Sequence, residues 1–277
     1  MRSPYGFELT ESCSTCKFRG SGFFCQLSPA ELKCFDAVKF VTAYPADAIL
    51  FAEQQRTRGI YLLCEGQVKL SFSSSEGKTL VLRIAKPGEV LGLLSTLSGN
   101  PYEVTAAALR PCQVAFVSST DFQKILRKHP ALFQHVANQL GLQYRTACEQ
   151  LCTVGLGVSI VERVAKFLLN WSVDRGASRN GIQFTLPLSH EEIAEHIGTT
   201  RESVSRAMGE FRSQGLVEGT RTALLIPNRL ALREIRARPA SPQKRGPRLV
   251  RLTPLRPPTP GIRHSLSKQA AGRRKSA

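Results

Sequence analysis

Two groups of residues in this chain have types and spacings suited to chemistry. The first begins with Cys13 and Cys16. With two residues between them, one tight turn can present both thiolates to a single metal centre. Cys25 follows nine residues later, and Gly20 and Gly22 let the chain fold back between them. Cys34 sits beside Leu32 and Phe35 in the short helical stretch SPAELKCFDAV, a setting for ordinary packing. Free cysteine is among the most buried residue types, so plain burial competes with ligation for every one of these thiols. The second group is Arg201, Glu202, Ser205 and Arg206. On a helix turning about 100° per residue they span an arc of roughly 140°. Arginine bonds guanine O6 and N7 together, glutamate accepts from cytosine N4, and serine adapts to either role. The competing reading is a solvated charged face on which Glu202 complements the dipole of its own first turn.

The elements that hold the second group are legible around it. Ser189 and Glu192 form a capping box, and Ile193, Ala194 and Ile197 give the helix that follows an apolar stripe. Gly198 supplies a left-handed stop, and Thr199 and Thr200 cap a second helix almost at once. In that helix Val204, Met208 and Phe211 share one side, opposite the Arg/Glu/Ser/Arg face. Residues 188–217 therefore read as a helix-turn-helix, with the second helix shaped for a major groove. His190 and His196 flank the first helix and are expected at the surface. Downstream, GLVEG at 215–219 leads into TRTALLIPN, a two-stranded wing with Arg221 placed to meet a phosphate. Upstream lie a helix over residues 160–171, a Gly/Ser/Asn-rich connection and a short strand, IQFTLPL.

The first half of the chain is of a different kind. Over residues 37–118, β-rich runs such as KFVTAY, IYLLCEGQVKLSF and LVLRIA alternate with turns at about ten-residue spacing, which predicts a small antiparallel barrel or jelly roll. Cys64 falls inside one strand, as core, and Cys112 follows Pro111 at the start of another. A helix from Ser119 is broken by Pro130, and a longer one runs from Ala131 towards Val154. Phe133, Ala137, Leu140, Tyr144, Ala147, Leu151 and Val154 recur on it at alternating steps of four and three, a coiled-coil-like seam. A single seam on a long helix between two domains points to a two-fold dimer, with packing on its own roll as the alternative. Cys148 and Cys152, one turn apart near that seam, read as buried.

Composition limits what these pieces can do. The chain has 277 residues, 42% of them hydrophobic, and a formal net charge of +17, which favours polyanionic partners. About eleven lysines and arginines, and no acid, lie beyond Ala237, so a Pro-, Arg- and Ser-rich tail carries most of that excess. The tail reads as disordered and able to add salt-sensitive, sequence-independent DNA affinity. No apolar run reaches a membrane span and the N-terminus lacks a signal-peptide core, so a cytoplasmic location is expected. There, eight cysteines suit metal binding, redox chemistry or burial better than a disulfide framework. A Walker loop, a G-x-S-x-G elbow and an H-E-x-x-H pair are all missing, so an enzyme is not expected.

A β-roll, a long helix and a C-terminal winged helix-turn-helix, in that order, resemble the CRP/FNR family of bacterial transcription regulators. The specific pieces are GIYLLCEGQVKL, the PGEVLG turn at 87–92 and TTRESVSR at 199–206. The resemblance implies an α+β fold with five parts: a cysteine-rich sensor segment (1–36), a double-stranded β-helix of jelly-roll, cyclic-nucleotide-binding type (37–130), a dimerisation helix (131–157), the winged helix-turn-helix (158–235) and the basic tail (236–277). It implies a homodimer on palindromic promoter DNA, with RNA polymerase as a further partner. Glu202 and Arg206 would read bases, supported by Arg201, Ser205, Thr199 and Thr200. Cyclic-nucleotide receptors of the family carry a Glu and then an Arg-Ser pair beyond the PGE-x-x-G turn. Here Leu93 and Leu94 follow Gly92, SGNPYEV replaces the Arg-bearing stretch, and no arginine lies between Arg83 and Arg110. A buried phosphate needs a cation or several amides, so no cyclic nucleotide is expected. The resemblance to FNR-type oxygen sensors instead implies a [4Fe–4S] cluster on Cys13, Cys16, Cys25 and Cys112, although the Cys16–Cys25 gap is longer than in that branch. Cys34 is the reserve third ligand, and zinc or no metal are the alternatives.

Overall fold

The computed structural model describes residues 5–6, 12–13, 16, 22, 27–156, 159–173, 181–220 and 222–235. Cys25, Arg221 and the stretch from residue 236 onward lie outside them. The fold is α+β, as the resemblance implied. A short helix α1 (Pro29–Asp36) precedes eight strands: β1 (Phe40–Tyr44), β2 (Ile49–Phe51), β3 (Gly59–Glu65), β4 (Val68–Ser73), β5 (Thr79–Ala85), β6 (Val90–Leu91), β7 (Thr105–Ala108) and β8 (Cys112–Ser118). They form two antiparallel sheets, ordered β1-β8-β3-β6 and β2-β7-β4-β5. One-turn helix α2 (Leu93–Ser98) is inserted between β6 and β7.

Period-two alternation sorts the strand residues into two cores. Between the sheets lie Phe51, Tyr61, Leu63, Val68, Leu70, Leu91, Tyr102, Ala106, Cys112 and Val114. On the other face of the first sheet, Ile60, Leu62, Ala115 and Val117 pack under Leu32 and Phe35 of α1 and under Phe122, Ile125 and Leu126 of α3 (Ser119–Lys128). Tyr102 locks the roll. Its ring stacks on Phe51 with centroids 4.0 Å apart, while its hydroxyl accepts from the Gly59 amide at 3.2 Å and donates to the Gly59 carbonyl at 2.7 Å.

The long helix α4 (Leu132–Gly155) covers the expected seam. Its faces are divided. Leu132, Val136 and Leu140 join the core outside the first sheet, while Phe133, Leu142, Tyr144 and Leu151 stay exposed, Tyr144 at 73% and Leu151 at 71%. Cys148 is half-buried, but Cys152 is exposed rather than packed.

The C-terminal part comprises α5 (Ile160–Trp171), β9 (Ile182–Thr185), α6 (His190–Ile197), α7 (Arg201–Ser213), β10 (Glu218–Gly219), β11 (Ala223–Ile226) and α8 (Arg229–Arg233). β10, β11 and β9 pair antiparallel as the wing sheet. Val164, Leu168, Ile193, Ile197, Val204, Met208, Phe211 and Leu224 form its core.

Candidate functional site

The turn between α6 and α7 is built as its residue types require. Ser189 caps α6 with a reciprocal bond to Glu192, and Gly198 ends it at φ +66°, φ 66 being open to glycine at no steric cost. Thr199 donates its amide to Ala194 O at 3.0 Å, and Thr200 caps α7 by accepting from the Ser203 amide at 3.4 Å. Arg163 of α5 donates to the Ile197 carbonyl at 3.2 Å, fixing the turn against the third helix of the domain. With Val204, Ala207, Met208 and Phe211 buried, α7 turns Arg201, Glu202, Ser205 and Arg206 to solvent. The amide at the helix start and the Thr200 hydroxyl hold the Glu202 carboxyl below the usual carboxylate range, so it is an acceptor at neutral pH. His190 Nδ1 lies 2.8 Å from Ser205 Oγ and orients that hydroxyl. The opposite face of α6 docks on the roll: Glu195 pairs with Lys69 of β4 at 2.9 Å, and Gln150 of α4 donates both to Val81 O of β5 and to His196 O.

His196 is half-buried rather than exposed. Its ring meets the Phe167 ring edge-on at 5.2 Å, its Nδ1 is buried without a partner, and burial lowers its pKa to about 4. Sequence spacing missed this because the face of α6 that carries His196 is covered by α5 and by the roll.

The described cysteines are thiols, not disulfides. Cys13 packs against the core outside the first sheet, together with Cys64 of β3. Its amide donates to Asp36 Oδ1 at 3.2 Å, and Lys39 donates from Nζ both to Cys13 Sγ at 3.3 Å and to Asp36 Oδ1 at 2.6 Å. Burial disfavours charge on Asp36 and Lys39, but these bonds outweigh it and hold one ionised and the other protonated. Burial pushes the Cys13 thiol up to about 11 against the pull of Lys39. Burial, and next the neighbouring Cys13, push Cys64 to about 12, with Cys16 adding to the rise. Cys34 faces another way, its sulfur 3.9 Å from Lys128 Nζ.

Cys112 is not brought to Cys13 and Cys16. It occupies the core between the sheets, where burial alone pushes its thiol to about 11. Parity on β8 is the reason: Cys112 and Val114 point inward, Ala115 and Val117 outward. Among the described residues no three His, Cys, Asp or Glu side chains are gathered closely enough to hold a metal ion. Among the described members of the expected set, Cys112 therefore lies apart from Cys13 and Cys16, and Cys25 lies outside the described residues.

A cavity of about 340 Å³ lies between the roll and α4, lined by Phe51, Leu82, Val90, Leu94, Leu140 and Tyr144 among others. Among the described residues of that lining Arg83 is the one cation and is ion-paired to Glu89, while Glu103 accepts a bond from Ser95.

Residues 41–129 match the cyclic nucleotide-binding domain family, and residues 162–235 match the Crp-like helix-turn-helix domain family. The global nitrogen regulator of Synechococcus elongatus is 33% identical over 179 residues, 62% of this chain and 79% of that protein. The nitrogen fixation regulation protein FixK of Bradyrhizobium diazoefficiens is 28% identical over 74% of this chain and 85% of its own length. The solved structure of FixK2 from Bradyrhizobium japonicum superposes with a TM-score of 0.64 at 25% identity, covering 72% of this chain and 98% of that one. With both halves matched, in this order and over this length, the chain belongs to the CRP/FNR family of transcription regulators.

Proposed function

We propose that this protein binds promoter DNA as a homodimer, reads bases with α7, and alters its DNA affinity with the state of its N-terminal thiols. The observation that carries the reading is the outward Arg201, Glu202, Ser205 and Arg206 face above a fully packed seam. The exposed apolar residues of α4 suit a second copy of the same helix, which would set two recognition helices on half-sites one helical turn apart. RNA polymerase is the further partner of such a regulator. Oxygen or redox sensing through a [4Fe–4S] cluster is the finer form of the reading. Of its implied ligands, Cys13 packs on the outer core of the first sheet, whereas Cys112 is enclosed between the sheets. A cyclic nucleotide suits the cavity poorly: its phosphate would meet an arginine already engaged by Glu89, with Glu103 nearby.

The test is fluorescence anisotropy with a selected palindromic site, on protein prepared without oxygen and then exposed to air. Air is expected to weaken binding at least tenfold. Equal binding in both states removes the thiol response, and sequence-independent binding removes base reading by α7.

A further inference from the structure

We propose that His190 is a specificity-determining residue of the DNA-reading face: acting through Ser205, it makes that hydroxyl a hydrogen-bond acceptor and so selects a base that presents an amino group in the major groove. The inference rests on base reading by α7 and names a residue outside α7 that sets one of its contacts. His190 is the first residue of α6, and Ser205 lies on α7 among the residues turned to solvent. The turn between the helices brings His190 Nδ1 to 2.8 Å from Ser205 Oγ. The capping box fixes the backbone on either side of the imidazole, since Ser189 donates from its amide and its hydroxyl to Glu192 Oε2 at 2.7 and 2.9 Å.

A hydroxyl on a helix often turns back to its own backbone. Thr146 donates to the Leu142 carbonyl, Thr153 to that of Glu149 and Ser213 to that of Glu210. Ser205 is turned instead to a ring nitrogen of another helix. At the first position of α6, the positive end of the helix dipole disfavours an imidazolium. A neutral imidazole in its ordinary Nε2–H tautomer leaves Nδ1 as an acceptor. The Ser205 proton is then committed to Nδ1, and Oγ presents only lone pairs outward. An unconstrained serine suits either kind of base edge. An acceptor-only Oγ takes the adenine N6 or cytosine N4 amino group and is repelled by guanine O6 or thymine O4. His190 is thus a positioning residue that supplies rejection as well as attraction without touching a base.

The experiment uses the full chain and fluorescence anisotropy on a selected palindrome whose half-site base pairs are varied one at a time, at one pH and salt concentration. Ser205→Ala identifies the position at which preference depends on this hydroxyl. Wild type is expected to favour adenine or cytosine there over guanine or thymine by about fivefold or more. His190→Phe, which keeps a ring and removes its nitrogens, should lose most of that preference and leave the other positions as they were. His190→Asn, whose amide oxygen can take the place of Nδ1, should restore it. At that position the double variant His190→Phe/Ser205→Ala should match Ser205→Ala alone, because His190 acts through Ser205. Circular dichroism checks that the helices are kept, and His190→Ala carries the same comparison if His190→Phe does not fold. A wild-type preference for guanine or thymine there, a preference that the folded His190 variant leaves unchanged, or a Ser205→Ala variant that alters no position overturns the inference while base reading stands. So does a loss in His190→Phe spread evenly over all sites, which makes His190 a phosphate contact. Wild type that binds all sequences alike removes base reading itself, and the inference with it.

Discussion

Lys69 Nζ on β4 of the roll and Glu195 Oε2 on α6 of the helix-turn-helix stand 2.9 Å apart, tying the roll to the helix-turn-helix. Both side chains are 22% exposed, so solvent screens the pair only in part. Gln150 of α4 joins the same contact through the carbonyls of Val81 and His196. The first helix of the reading motif is thus held by the roll and by the long helix together. Lys69→Ala and Glu195→Ala should each raise hydrogen exchange of the α6 amides, with a coupling of about 0.5–1 kcal/mol in a double-mutant cycle. A coupling of zero would mean that the pair does not hold the two halves.

Arg206 is exposed on α7, where it donates a long hydrogen bond of 3.4 Å to Ser203 Oγ. Arg206→Ala should therefore leave the urea midpoint unchanged while costing about 1–3 kcal/mol of specific binding and relaxing preference at one base position. Loss spread evenly over all DNA sequences would instead make Arg206 a phosphate contact.

Leu151 is 71% exposed on α4 in the single chain. Leu151→Glu places a charge where a second helix would pack, so sedimentation should show a dimer dissociation constant raised at least tenfold. Chain stability should move by less than about 0.5 kcal/mol, because the residue is exposed before association. An unchanged sedimentation profile would place the dimer contact elsewhere.

Burial holds His196 neutral down to about pH 4, whereas an unfolded imidazole titrates near 6.5. The charged residues that line the cleft beside it, Arg83, Lys86 and Arg110, are all basic and none would retain an imidazolium. The unfolded chain binds the proton first, so stability present above pH 6.5 is lost as pH falls towards 4. The loss should be on the order of 2 kcal/mol. Urea midpoints at pH 7 and 4.5 should converge in His196→Phe if this residue is responsible.

Tyr102 is fully buried, and its hydroxyl serves the Arg58 and Gly59 amides and the Gly59 carbonyl. Tyr102→Phe keeps the stacking on Phe51 but leaves those groups unpaired, at a cost of about 1–3 kcal/mol. The check is a lower urea midpoint with an unchanged slope, since the surface exposed on unfolding is the same.

The amino-acid sequence alone determined whatever depends on neighbours within a few residues. The Ser189–Glu192 capping box, the Gly198 stop, the Thr200 cap and the outward Arg/Glu/Ser/Arg face are set by spacing along one helix, and the structure carries each of them. The alternating strands likewise specified a roll without its sheet order. Tertiary structure decided what meets across space. Parity shows that Ile60, Leu62 and Cys64 share a face and that Cys112 and Val114 share one, but not which face the N-terminal segment covers. That depends on α1 and α3 packing on the outer side of the first sheet, which sets Cys13 beside Cys64 and leaves Cys112 enclosed. The burial of His196 has the same origin: a helix of eight residues cannot specify which neighbours will close over its second face.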